Sequence, residues 1–257
     1  MKKTLSALSL IFVSINAFAS LDDCYIAGSS HDYNAVKKEC LKYAGKDKDA
    51  TTILSGTYAY NNDGVNAQKY LQIYIDNFAK NNKDTSILAK NYTSLGNYYY
   101  FGEDGAKKDI QKGLQYLTKG AELGNATAQY QLGSFYGMDD NSNVSKSFVL
   151  NYYWDTLAYI NGEKAKADEF NLIKANYDIF KKQYPRCIAI GDNMVAKAYL
   201  DGKGGLPVST AEAKEYLEKA ISLYKQSKEP TANELKYCKP VSDDLNLAGA
   251  QKLLASL

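Results

Sequence analysis

Histidine is almost missing from this chain: its 257 residues hold one, His31, alongside one tryptophan and four prolines. A Ser–His or Cys–His mechanism would have to be built on that single imidazole, and no partner set accompanies it. A histidine in a surface loop is the expected reading. Metal chemistry is equally short of material, since the four cysteines include no CxxC pair and there is no second imidazole. Asp139, Asn141 and Asn143 have the alternate spacing that opens a calcium loop. The sixth position is Val144 instead of Gly and the twelfth is Leu150 instead of Glu, so the match fails. The run Gly202-Lys203-Gly204-Gly205 lacks the spacing and the following Ser or Thr of a phosphate loop. No catalytic, metal-binding or cofactor-binding residue is therefore assigned.

Net charge is scarce as well. Lysine and arginine number 31 against 29 acidic residues, and two of the lysines, Lys2 and Lys3, belong to the extreme N-terminus. A balanced surface offers no electrostatic footprint for nucleic acid or an anionic bilayer. After the first 19 residues no apolar run is long enough to span a membrane.

Those first 19 residues have their own grammar. Lys2 and Lys3 give a positive start, residues 5–18 form a short apolar run, and Ala17-Phe18-Ala19 presents small residues where a signal peptidase reads them. Cys24 does not convert this into a lipoprotein signal, because Asp22 and Asp23 occupy positions that need small residues. The expectation is a signal peptide over residues 1–19, cleaved after Ala19, and a periplasmic chain over 20–257 with no membrane insertion.

The residues present in abundance are arranged in a repeat. Leu95-Gly96 with Tyr99 returns 37 residues later as Leu132-Gly133 with Tyr136. The pattern returns again one hundred residues on. Val195 and Tyr199 answer Leu95 and Tyr99, Gly202 and Gly205 answer Gly102 and Gly105, and Tyr216 and Leu217 answer Tyr116 and Leu117. Each stretch reads as two amphipathic helices around a glycine turn, a unit that buries its apolar face only against its neighbours. A weaker copy lies at about 50–80, where Ala50, Leu54 and Tyr58 keep the spacing of Ala128, Leu132 and Tyr136. Between Leu132 and Val195 the distance exceeds one period and falls short of two, so a helix is extra or a repeat degenerate. A helix over about 165–183 ending at Pro185 is expected there. C-terminal capping helices are expected over about 231–257, the last starting near Asp243 with Ser242 or Asp243 as its N-cap.

Residues 91–136 and 191–221 resemble the Sel-like repeat, a relative of the tetratricopeptide repeat. Leu95, Gly96, Tyr99, Gly102, Gly105, Asp109, Lys112, Tyr116, Lys119, Ala121, Gly124 and Ala128 fill its pattern, with Gly113 and Gly120 in place of Ala and Tyr116 in place of Trp. The resemblance implies an all-α, right-handed α-solenoid and a non-enzymatic adaptor or scaffold. It implies a protein partner: a secreted effector, as for immunity proteins that neutralise phospholipase toxins of type VI secretion, or a component of a secretion or envelope machine. A cell-wall-acting hydrolase is the alternative from another class.

In an exported chain an even cysteine count suggests two disulfides, and Cys24, Cys40, Cys187 and Cys238 allow three connectivities. Pairing Cys24 with Cys40 and Cys187 with Cys238 keeps each bridge between neighbouring helices of a solenoid. Tyrosine, with 23 residues, supplies the remaining signal. Leu95, Gly96, Tyr99, Tyr116, Leu132, Gly133, Tyr136, Tyr199 and Tyr216 are expected to pack between helices. Tyr98, Tyr100, Tyr152 and Trp154 are the candidates for contact with a partner, since such side chains bury much area at small entropic cost.

Expression of the full chain in a Gram-negative host should yield a periplasmic product whose N-terminal sequencing begins at Ser20. A first residue of Met1, or recovery from the cytoplasm, would sink the export reading.

Overall fold

The computed structural model describes residues 20–138, 144–162, 184–227 and 229–257. The expected signal peptide, the Asp139–Asn143 loop and the expected helix over 165–183 lie outside them. Among the described residues there are twelve α-helices and no strand. They are α1 Leu21–Ser29, α2 Tyr33–Cys40, α3 Lys48–Tyr60, α4 Gly64–Phe78, α5 Thr85–Phe101 and α6 Ile110–Glu122. Then follow α7 Ala126–Gly137, α8 Phe148–Asn161, α9 Pro185–Asp201, α10 Thr210–Gln226, α11 Ala232–Tyr237 and α12 Leu247–Ala255.

Local sequence sets where these helices begin. Eleven of the twelve start at a Ser, Thr, Asp or Asn whose side chain accepts a hydrogen bond from a first-turn amide, from Ser20 for α1 to Asn246 for α12. The exception is α9, which opens on Pro185 in its first turn, where a missing amide costs nothing. Pro185 therefore starts a helix. Residues 21–29 form a helix outside the repeat pattern, opened by a capping box between Ser20 and Asp23. One expectation needs correction. The last helix begins at Leu247, not near Asp243, because Asn246 and not Ser242 or Asp243 caps it.

Consecutive helices pack as hairpins, α1/α2, α3/α4, α5/α6, α7/α8 and α9/α10, and each hairpin leans on the next. The fold is an all-α repeat stack. The repeat predicted at a spacing of one hundred residues recurs bond for bond. The amide of Asp109, the N-cap of α6, donates to the carbonyl of Tyr99 at 2.7 Å, and that of Ser209, the N-cap of α10, to Tyr199 at 3.1 Å. In α7/α8 the amide of Ser147 donates to Tyr136 at 3.0 Å. Gly102 and Gly202 end α5 and α9 with φ of 71° and 63°, a left-handed conformation that favours glycine.

Within a hairpin the helices approach to backbone contact. A Cβ at Gly96 would lie 2.8 Å from the backbone nitrogen of Leu117, and one at Gly113 would lie 2.6 Å from that of Tyr100. At Gly133 it would meet the Asp155 carboxylate and lie 3.3 Å from the Asn151 carbonyl. Leu95, Tyr99, Leu132 and Tyr199 are buried around these crossings, and Tyr116, Tyr136 and Tyr216 are half-buried. Ring stacks then close three of the hairpins. Tyr99 meets Tyr116 at 5.8 Å, Tyr199 meets Tyr216 at 5.8 Å, and in the weaker copy Tyr58 meets Tyr70 at 5.4 Å.

Glutamines fasten the glycine loops to the helix before them. Gln68 of α4 gives and receives a hydrogen bond with the backbone of Lys107, both at 2.9 Å. Gln129 of α7, fully buried, donates to the carbonyl of Gly204 at 2.9 Å, where the Asn161 amide also donates at 2.7 Å.

The frame break lies between α8 and α9. Phe148 at the start of α8 stacks near Tyr184, just before α9, with ring centres 4.6 Å apart. Tyr152 donates to Asp192 at 2.6 Å, and Asn161 at the end of α8 reaches Gly204, just past α9. The two helices run parallel, whereas hairpin partners run antiparallel. Cys24–Cys40 bridges α1 to the end of α2, and Cys187–Cys238 bridges α9 to the residue after α11, with Cα separations of 4.8 and 4.9 Å. The second bridge skips α10 and ties the C-terminal helices to α9.

Gly56, exposed on α3, has no atom within 4 Å of where a Cβ would sit. Gly56→Ala should therefore raise stability by about 0.5–1 kcal/mol through lost chain entropy. Gly113→Ala should lower it by roughly 1–3 kcal/mol through overpacking. Urea denaturation of both variants checks this, and equal shifts of either sign would contradict the backbone-contact account.

Candidate partner-binding face

The four aromatic residues singled out for partner contact do not share a surface. Trp154 is 9% exposed and packs in the central core with Leu117, Leu132 and Leu157. Tyr152 is 8% exposed and spends its hydroxyl on Asp192. Tyr100 stacks on Phe135 with ring centres 4.4 Å apart, and Tyr98 is half-buried against α3/α4 residues. The expectation of an exposed cluster is corrected: hairpin packing claims Tyr152 and Trp154. A periodicity count places Tyr100 off the apolar stripe of α5, but α7 covers that side.

A different aromatic group lies along α5 and α6, with Tyr92 and Tyr116 half-buried, Tyr99 buried and Lys119 exposed. Helix α5 carries Tyr92 and Tyr99 seven residues apart, and α6 carries Lys112, Tyr116 and Lys119 at the same two-turn spacing. Tyr116 stacks against both Tyr92, at 6.0 Å, and Tyr99, at 5.8 Å. The Lys112 ammonium lies 4.2 Å from the centre of the Tyr99 ring, and that of Lys119 lies 5.4 Å from Tyr92 and 5.6 Å from Tyr116. Such contacts contribute about 0.5–1 kcal/mol at exposed sites.

Helix α4 supplies the polar floor. Lys112 donates to the Tyr99 hydroxyl at 2.7 Å, and that hydroxyl donates to the Gln72 carbonyl at 3.0 Å. The Gln72 amide in turn reaches Tyr116 at 3.0 Å and Asp76 at 2.8 Å. Burial presses the Lys112 ammonium towards neutrality, but the hydrogen bond to Tyr99 and the charges of Tyr99, Tyr116 and Asp76 leave its pKa raised. Lys112 stays charged. Among the described residues, neither Lys112 nor Lys119 has a carboxylate within ion-pair distance. The signal that could have found this face was the Lys-Tyr-Lys spacing within α6, which the repeat pattern absorbed as packing.

The Gly102-Gly105 and Gly202-Gly205 turns carry backbone hydrogen bonds and no ligand-binding side chains. His31 is exposed in the turn between α1 and α2. No group of three or more His, Cys, Asp or Glu among the described residues is placed to hold a metal ion.

Residues 92–125, 126–150 and 189–224 each match the Sel1 repeat family. These three segments are similar to Sel1 repeats. The weaker hairpin at 50–80 falls outside the matched segments although it keeps the tyrosine stack. The Escherichia coli K12 protein Uncharacterized protein YibG is 36% identical over 85 residues, which make up 31% of this chain and 52% of that one. The chain thus spans about half the length of that relative. Two solved structures are also similar. A Sel1 repeat protein from Oxalobacter formigenes shares 23% identity at a TM-score of 0.29, covering 60% of this chain and 88% of its own. The c5321 protective antigen of uropathogenic Escherichia coli strains, which displays an SLR fold, shares 15% identity at a TM-score of 0.39, covering 92% and 56%. Sel1-repeat proteins generally serve as scaffolds for protein interaction.

One ionisable group in the Sel1 hairpins is held against its preference. Asp155 of α8 lies against Gly133, with Oδ1 buried and unpartnered and Oδ2 accepting from Asn151 at 2.9 Å. Burial pushes its carboxyl up to about 7, against the Asn151 hydrogen bond that lowers it. The folded chain thus holds a proton that the unfolded chain releases near pH 4, so stability falls as pH rises from about 4 to about 7 and then levels. Asp155→Asn should raise stability by about 2–4 kcal/mol above pH 7, with the gain fading towards pH 4. Melting temperatures across that range test this, and a gain independent of pH would refute it.

Proposed function

We propose that this protein is a periplasmic, non-enzymatic scaffold that holds another protein, and that its partner is a secreted phospholipase effector of type VI secretion, which it neutralises as an immunity protein. The observation that carries the scaffold reading is the recurrence of one hairpin geometry at Tyr99/Tyr116 and Tyr199/Tyr216, fixed to the same backbone bonds. Stacked hairpins of this kind create extended surfaces and leave side chains on them free for recognition. Export is supported by the two disulfides, which an oxidising compartment preserves. No described helix is long and apolar enough to cross a membrane. The immunity version rests on the resemblance to exported members of the family. Its rival, an accessory role in a secretion or envelope machine, rests on the same resemblance.

Affinity capture by the mature chain from periplasmic extract, followed by mass spectrometry and a lipase assay, separates these. Recovery of a phospholipase whose activity falls on titration with one equivalent of the chain supports immunity. Components of a secretion or envelope machine would replace that reading with the accessory role. Cell-wall glycan with no protein would defeat the scaffold altogether.

A further inference from the structure

Two lysines on α6 remain without an ion-pair partner among the described residues although the fold places them with care. Lys112 and Lys119 lie 5.7 and 5.6 Å from the centre of the same ring, Tyr116, one on either side of it along the helix. Seven residues of helix separate their Cα atoms by about 10 Å. The rings below position the ammonium groups but do not neutralise them, and Asp76 is already engaged by Gln72 at 2.8 Å.

The third Sel1 repeat supplies an internal control. Tyr199 and Tyr216 stack there at the same 5.8 Å, with Lys219 over Tyr216 at 4.7 Å. Yet Glu212 stands where Lys112 would, and Glu215 pairs with Lys219 at 2.7 Å. The tyrosine stack and the hairpin therefore form without unpaired ammonium groups. What Lys112 and Lys119 add in the α5/α6 hairpin is not packing.

We propose that Lys112 and Lys119, held over Tyr92, Tyr99 and Tyr116, form the docking point for an acidic segment of the protein partner. This rests on the scaffold reading above and names the chemistry that the scaffold recognises. Carboxylates three residues apart on a polyproline II segment lie on one side of it and are separated by about 9 Å, close to the spacing of the two lysines along α6. The aromatic floor adds apolar area for the side chains between them, and the Tyr99 and Tyr116 hydroxyls add polar contacts at its edge. Gln72 locks the three helices together, so the site is preformed and little ordering is needed on binding.

The probe is a fluorescein-labelled (Glu-Gly-Ser)4 peptide, which places a carboxylate at every third residue, with (Gln-Gly-Ser)4 as control. Fluorescence anisotropy with the mature chain should show saturable binding of the first peptide only, weakening as salt rises. The double variant Lys112→Gln/Lys119→Gln should weaken it roughly tenfold or more, and Lys112→Arg/Lys119→Arg should retain it. Lys219→Gln should leave it unchanged. Equal binding of the two peptides, or full binding by the Gln double variant, overturns the proposal. So does loss on Lys219→Gln alone. Circular dichroism confirms that the variants fold, and the Arg pair guards against a purely structural effect. If the capture experiment recovers a partner that the Gln double variant still holds, this inference fails while the scaffold reading stands.

Discussion

Backbone contact between the two helices of a hairpin is the constraint on which the rest of this structure depends. A methyl group at Gly113 would overlap the backbone of Tyr100, and one at Gly96 would press on Leu117. Only glycine permits that approach, and the approach brings Tyr99 and Tyr116 into register to stack. The stack in turn sets where Lys112 and Lys119 can rest. Glycine carries a cost of about 1 kcal/mol inside a helix relative to alanine, so its recurrence at Gly96, Gly113, Gly120 and Gly133 is explained by what it lets close. The same logic operates between hairpins. Gly124, after α6, and Gly205, in the loop before α10, meet so closely that a Cβ on either would fall about 2.6 Å or less from the other's Cα.

Between α8 and α9 this regularity breaks, and the break has consequences for the C-terminal part. Parallel helices cannot be joined by a short turn. The face of α9 that meets α8 is correspondingly unlike that of α5. Asp192, buried and bonded to Tyr152, stands at the position of Tyr92, and Gly191 lies directly under the Tyr152 ring. The Cys187–Cys238 bridge sits beside this junction, in a cluster with Phe148, Val149 and Ile190. By the loop-entropy model, closing its 51-residue separation restricts the unfolded chain by about 4 kcal/mol. That constraint spans the α9/α10 hairpin and ties it to the C-terminal helices.

Much of the fold was legible because local rules and the repeat agreed. Caps such as Asp109 and Ser209 marked helix starts, Gly102 and Gly202 marked ends, and the distances between them were kept over one hundred residues. Where neighbours in space decide, the sequence was silent. Asn246 caps the last helix by accepting from the Gly249 amide, while the Ser242 hydroxyl is spent on Asp244 and the Asp243 backbone carbonyl accepts from the Asn246 side-chain amide. Helix α1 was missed because Leu21–Ser29 has only two buried residues, Cys24 and Ala27, too few to make a stripe. The aromatic candidates failed for a related reason. Periodicity locates the face of one helix turned to one neighbour, whereas each inner helix of a stack has several. Tyr152 and Trp154 are turned from the α7 seam in part, yet α9 and the central core receive them.

The tyrosines of α5 and α6 were hidden by the opposite effect: they fit the repeat so well that packing accounted for them. Packing and recognition are not exclusive on a helix surface, because a phenol can bury one face and lend its other to a cation. The difference between α6 and α10 separates the two roles. Tyr116 with Tyr216 and Leu117 with Leu217 coincide, so these belong to the fold. The charges diverge, with Lys112, Gln115 and Thr118 replaced by Glu212, Glu215 and Glu218. A repeat conserves what every copy must do to stack, and frees the remaining positions to differ. In a chain whose overall charge is balanced, partner specificity therefore has to be sought in the contrast between equivalent positions of successive hairpins, where one copy leaves its lysines uncompensated and another closes them with glutamate.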